Sequence, residues 1–155
     1  MRIHLIATGT RMPAWVRQGY EEYARRMPPE CRLQLHEIPA GKRGRHADIA
    51  RLTEQEGRRM LEAVPKGARV IALDVAGRAW STEQLARQLA EWMRCGQDLA
   101  LLVGGPEGLS PACRERGRPG WSLSPLTLPH PLVRIIVAEQ LYRASSILKG
   151  HPYHK

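Results

Sequence analysis

Five apolar residues in a row, Leu99-Ala100-Leu101-Leu102-Val103, run directly into Gly104-Gly105-Pro106-Glu107-Gly108. No other stretch constrains the fold as tightly. An apolar run this short, closed by glycines, fits a strand buried on both faces, and such strands sit in parallel sheets with helices on either side. The adjacent glycines leave bare backbone at the strand's carboxyl end, where a ligand could lie. Pro106 stiffens the turn, and Ser110-Pro111 supplies the N-cap and first position of a following helix. Strand, bare loop and helix start together make the usual ligand corner of an open α/β sheet. A tight turn without a ligand would use the same residues, so the motif alone does not decide between them.

The rest of the chain alternates strand and helix patterns. Residues 2–7 read as a first strand, with Gly9 and Pro13 in the turn that follows. Val16, Gly19, Tyr20, Tyr23, Ala24 and Met27 recur at helical spacing until Pro28-Pro29 stops them. Residues 32–38 alternate polar and apolar, as a strand near the sheet's edge does. Asp48 caps a helix reaching Val64, and residues 69–74 form a third strand with a loop, Val75-Ala76-Gly77-Arg78, behind it. Ser81 and Gln84 are spaced as a capping box; Leu85, Leu89, Trp92 and Met93 form the buried stripe of the helix they open, and Gly96 closes it. A short helix spans Ser110–Arg116, and Trp121–Leu128 has the composition of a strand kinked at Pro125.

This alternation predicts one α/β domain over residues 1–155 with a mostly parallel sheet. The loops Leu73–Arg78, Gly104–Gly108 and Leu123–Leu128 should then open on one edge. The last helix, Pro131–Leu148, is apolar nearly all round. Such a helix needs cover on every side, which predicts a homodimer interface; a central position within the monomer would satisfy the same pattern.

Charge narrows the partners. Lys and Arg number 24 against 15 Asp and Glu, a net charge of +9. That balance favours a polyanion, with nucleic acid first. The most basic loop, Pro39-Ala40-Gly41-Lys42-Arg43-Gly44-Arg45-His46, offers Lys42, Arg43 and Arg45 to phosphates, or is simply a solvated loop. Cys31, Cys95 and Cys113 are odd in number and widely spaced, so free thiols in a reducing compartment and no metal site are expected. No run is long enough for a membrane span, and the first residues do not fit a signal peptide, which places the expected site of action in the cytoplasm.

Three segments carry a family resemblance: Gly104-Gly105-Pro106-Glu107-Gly108, Leu126-Thr127-Leu128-Pro129-His130-Pro131-Leu132-Val133-Arg134 and His151-Pro152-Tyr153-His154. Together they closely resemble the bacterial large-subunit rRNA pseudouridine N3-methyltransferases of the SPOUT class. The similarity runs the whole length, including the Pro39–Arg45 loop and the Leu73-Asp74 strand end.

The resemblance implies a SPOUT fold with a deep C-terminal trefoil knot in roughly residues 70–155, a threading too rare for any pattern to suggest. It further implies a homodimer that uses S-adenosyl-L-methionine and methylates N3 of a pseudouridine in helix 69 of 23S rRNA on the assembled 70S ribosome. By position, the cofactor pocket would use Leu73, Gly104, Gly105 and the segment Leu123, Ser124, Pro125, Leu126, Thr127 and Leu128. Tyr153 and His154 would reach the partner subunit's site. Three features depart from the family pattern. Pro125 stands where a small residue such as Ala is expected, Ser145 replaces an expected tryptophan, and Arg114–Arg118 is unusually charged.

For such a transfer the protein must align N3 with the methyl group and remove the N3 proton. Losing that proton spreads negative charge onto two flanking carbonyls, which a cation would stabilise. Arg134 and Arg143 are the candidates, although Arg134 could instead clamp a phosphate, and Arg143 could contact RNA or pair with Glu139 four residues earlier. His130, His151, Tyr153 and His154 are the candidate bases or base-positioning groups, with Tyr153 and His154 favoured by the resemblance. Two rival classes stand beside this one. A basic ribosome-assembly factor would bind RNA without chemistry. A nicotinamide-dependent dehydrogenase would use Glu37 on the ribose, but no GxGxxG follows the first strand.

Overall fold

The computed structural model describes residues 1–155. Strand β4 (Leu99–Val103) lies at the centre of a five-stranded sheet, and all five of its residues are buried. Around it stand β1 (Arg2–Thr8), β2 (Arg32–Ile38), β3 (Arg69–Ala79) and β5 (Trp121–Ser122), in the order β2-β1-β4-β3-β5. Every pairing is parallel, with Leu5 beside both Leu35 and Leu101 and Ile71 beside Leu101. Strand β2, with its alternating polar and apolar residues, sits at the edge, as that half-wet pattern requires.

Alternate residues of the central strands feed two cores. Ile3, Leu5, Leu99, Leu101 and Val103 face one side, where α1 (Ala14–Ala24), α3 (Thr82–Cys95) and α5 (His130–Leu148) supply Tyr20, Leu89, Trp92 and Leu141. Ile6, Val70, Ala100 and Leu102 face the other, where α2 (Ile49–Ala63) and α4 (Pro111–Arg116) supply Met60 and Cys113. Covering both faces is what lets an all-apolar strand exist in a domain this small.

Local chemistry sets most boundaries. Asp48 accepts the Arg51 amide at 3.1 Å, Ser110 accepts the Cys113 amide at 3.3 Å, and Ser81 and Gln84 exchange both bonds of a capping box. Gly96 closes α3 at φ +70°, a conformation that side chains rarely take. Helix α1 ends at Ala24, short of the expected stop at Pro28-Pro29; Met27 is still buried, from the turn that follows.

Two expectations are corrected. Val75-Ala76-Gly77-Arg78 is not a loop: β3 continues to Ala79, with a register shift between Leu73 and Arg78, because Arg78 and Ala79 pair with Trp121 and Ser122. Trp121–Leu128 is not a strand beyond Ser122. The Ser122 hydroxyl donates to the Ser124 carbonyl at 3.2 Å and the Ser124 hydroxyl accepts the Leu126 amide at 3.0 Å, so local turns replace the ladder.

The chain passes itself closely beside β3. A Cβ on Gly77 would lie 2.6 Å from the backbone of both Gly120 and Trp121, and one on Gly117 would collide with the backbone of Ala72. The Ala72 amide donates to the Gly117 carbonyl at 3.1 Å and the Arg78 amide to the Gly120 carbonyl at 3.0 Å. Helix α5 buries Arg134, Val137, Ala138, Leu141, Ala144 and Ser145 between α1 and α3. Its opposite stripe, Leu132, Ile136, Glu139 and Arg143, stays partly or wholly exposed.

Candidate active site

The loops after β4 and β5 open on one edge and, together with Leu73, Asp74 and Val75 of β3 where a loop was expected, line a cavity of about 560 Å³. Leu73, Gly104, Gly105, Leu123, Ser124, Leu126, Thr127 and Leu128 all line it, while Pro125 does not. Volumes of this size accommodate a nucleoside-sized ligand. The Gly104–Gly108 turn is closed by a Gly108 amide donating to the Gly105 carbonyl at 3.0 Å. A Cβ on Gly104 would collide with the Gly108 backbone, so the wall there must be bare. Across the cavity, Leu126 is 71 % exposed, an apolar side chain left open beside an apolar pocket.

His130 lines the cavity from the first turn of α5. Its Nδ1 is buried without a hydrogen-bond partner. Burial first, and then the Arg134 guanidinium one turn further on, lower its pKa from the usual histidine value. The ring is therefore a neutral imidazole at neutral pH, able to accept a proton. Arg114 also lines the cavity, exposed and without an ion-pair partner. Sequence reasoning noted its charged run and did not place it here; its position four residues after the N-cap Ser110, beside the glycine turn, is the signal that was available.

Arg134 does not reach the cavity as a free cation. Its side chain is 1 % exposed and donates to the Glu37 carboxylate at 2.7 Å and to the carbonyls of Thr8 and Gly9 at 3.1 and 2.8 Å. It ties α5 to the carboxyl ends of β1 and β2, and Glu37 is its counter-ion. Arg43 is likewise paired, to Glu56 and Glu107, whereas Lys42 and Arg45 are exposed and make no ion pair.

The tail lies elsewhere. Residues Pro152–His154 form a short 3₁₀ turn that folds back against the middle of α5. The Tyr153 hydroxyl donates to Glu139 at 3.2 Å, its ring packs 4.6 Å from that of Tyr142, and Arg143 sits 4.8 Å over it. Arg143 also pairs with Glu139 at 2.6 Å. Burial, with Tyr23 and Glu139 alongside, pushes the Tyr153 hydroxyl up to about 12. His154 Nδ1 lies 2.6 Å from the His151 carbonyl. The Glu139 that Tyr153 meets lies nine residues after His130 on α5, roughly 14 Å along the helix axis, and neither Tyr153 nor His154 lines the cavity. One chain thus brings together the glycine turn, the Leu123–Leu128 segment and His130, but not Tyr153 or His154. Cys31 and Cys113 are buried and Cys95 is exposed, all as free thiols. No three His, Cys, Asp or Glu side chains are grouped to hold a metal ion. No helix is long and apolar enough to cross a membrane.

With this geometry in view, the family model described as a predicted SPOUT methyltransferase matches residues 1–154. The chain belongs to the SPOUT methyltransferase family. It is 66 % identical over 155 residues to the ribosomal RNA large subunit methyltransferase H of Thioalkalivibrio sulfidiphilus, covering all of this chain and 99 % of that one. The protein of the same name from Methylococcus capsulatus is 59 % identical, with both chains fully covered. Among solved structures, a Porphyromonas gingivalis protein described as a probable rRNA-methyltransferase shares the fold at a TM-score of 0.55 and 15 % identity, over 95 % of this chain and 69 % of that one. A Legionella pneumophila protein solved with the bound cofactor SAM matches at a TM-score of 0.51 and 12 % identity, over 93 % of this chain and 66 % of that longer one, just under two thirds of its length.

Proposed function

We propose that this SPOUT methyltransferase transfers the methyl group of S-adenosyl-L-methionine to N3 of a pseudouridine in helix 69 of 23S rRNA. It acts in the cytoplasm on the assembled 70S ribosome, as a homodimer whose residues from about 70 onward form a deep trefoil knot. The observation that carries the reading is the cavity at the sheet's carboxyl edge, with a wall of bare backbone at Gly104-Gly105. Full-length identity to two large-subunit rRNA methyltransferases supports the substrate class. The close backbone passages at Gly77 and Gly117 support the knot, since a threaded chain must cross itself where side chains leave no room.

The residues present fit this cofactor. Bare glycine backbone and the apolar Leu73 and Leu123 suit an adenosine, and Arg114 offers an unpaired cation for a carboxylate. When bound, the cofactor supplies a methyl group that is already electrophilic. The chain's own work is therefore alignment and proton removal. His130, a neutral imidazole in the cavity wall, accepts the N3 proton or orders the group that does. Tyr153 and His154, which line no part of their own cavity, reach the cavity of the partner subunit. Exposed Leu132 and half-buried Ile136 supply apolar surface for that dimer. Lys42 and Arg45 contact phosphates.

Incubation with ribosomes lacking the methyl group and with labelled cofactor tests the reading. Label in 23S rRNA is expected; binding to ribosomes with no heat of cofactor binding would make the protein an RNA-holding factor instead.

A further inference from the structure

Arg43 is shared by two carboxylates from different elements. It reaches Glu56 on α2 with Nη1–Oε2 at 2.5 Å and Nη2–Oε1 at 2.9 Å. It reaches Glu107, at the tip of the Gly104–Gly108 turn, with Nη2–Oε2 at 2.8 Å and Nε–Oε2 at 3.2 Å. The two carboxylates have different tasks. Glu56 is 5 % exposed, also accepts the Gly41 amide at 2.8 Å, and could not stay charged in the core without Arg43. Burial alone would raise the Glu56 carboxyl, but the Arg43 guanidinium and the Gly41 amide outweigh it and hold it below the usual range. Glu56 therefore suffices to fold the loop round Arg43.

Glu107 is surplus to that task. Its side chain is 34 % exposed, where an ion pair adds little to stability. It also leaves the trio one negative charge in excess, in a chain of net charge +9. A phosphate gains nothing at Arg43. The cations free to meet one are its neighbours Lys42 and Arg45, and the Arg43–Glu107 pair fixes where that loop stands beside the cavity.

We propose that Glu107 is a positioning residue for the nucleic-acid substrate. Acting through Arg43, it holds the Pro39–His46 loop against the cofactor turn, so that Lys42 and Arg45 grip phosphates while the target nucleotide faces the cavity. This rests on the rRNA methylation proposed above.

Steady-state methyl transfer to unmethylated ribosomes tests it in four proteins: wild type, Glu107→Gln, the Lys42→Ala/Arg45→Ala double variant, and the three changes combined. Glu107→Gln is expected to raise KM for ribosomes roughly fivefold, the scale of one exposed ion pair. Its kcat, cofactor affinity and thermal midpoint stay at the wild-type level. The double variant raises KM further and flattens its salt dependence. Adding Glu107→Gln to it then costs nothing more, because the cations that Glu107 places are gone. An unchanged KM in Glu107→Gln, a lost cofactor affinity, or a full fivefold penalty on top of the double variant would overturn the positioning role. A wild type that methylates no ribosome would instead bring down the functional reading, and this proposal with it.

Discussion

The Arg134 guanidinium on α5 donates to the Glu37 carboxylate at the end of β2 across 97 positions of sequence, Nη1 to Oε2 at 2.7 Å. The carbonyls of Thr8 and Gly9 accept from its Nη2, while its Nε is buried without a partner. Removing it leaves three acceptors unmatched under a packed helix. Arg134→Ala should destabilise the protein by about 3 kcal/mol, and Glu37→Gln by less, since the amide oxygen still accepts. Urea denaturation followed by circular dichroism measures both.

Gly104→Ala places a methyl group into the Gly108 backbone. The turn must open, at a cost of about 2 kcal/mol, and the cavity wall deforms with it. Calorimetry should show cofactor affinity falling at least tenfold. Gly44→Ala, where a Cβ meets nothing, should leave affinity and stability near wild type.

Acid should weaken the fold before any carboxylate titrates. His36 Nε2 lies 3.0 Å from His4 Nδ1, and burial first, then His4, lowers the His36 pKa. His130 is lowered by burial and Arg134. Both rings bind protons more readily in the unfolded chain. Stability is therefore complete above the unfolded value near pH 6.5 and falls as pH drops below it, levelling once the folded rings protonate. Thermal midpoints taken from about pH 8 down to about pH 5 should show this fall, and His36→Gln should make it shallower.

Truncation after Gly150 removes the Tyr153 contacts with Tyr142, Arg143 and Glu139 but no buried residue. The shortened chain should stay folded and bind cofactor, yet lose methyl transfer by about a hundredfold or more. Mixed with Gly104→Ala, which keeps its tail, it should regain part of the activity through shared dimers. No recovery on mixing would put the tail's role within its own chain.

What the sequence revealed was local. The helix caps at Asp48, Ser81 and Ser110 and the buried β4 each depend on residues within a few positions. The loops after β4 and β5 follow from parallel topology, and the family resemblance names Leu73, Gly104 and Leu123, all of which line the cavity. What was hidden depends on distant partners. β3 extends to Ala79 only because Trp121 and Ser122 come to meet it, and no periodicity in residues 75–78 announces that. Arg134 and Arg43 read as free cations because Glu37 and Glu107 lie 97 and 64 positions away. In sequence Arg114 is one of several cations in the run Arg114–Arg118, and only the fold turns it toward the cavity.

Mass mapping of 23S rRNA, after incubating ribosomes that lack the methyl group with the protein and S-adenosyl-L-methionine, bears most directly on the account. It should find the mass of one methyl group on a single pseudouridine in helix 69, with the label on N3. A methyl group on another nucleotide, or none while the cofactor is bound, would contradict it.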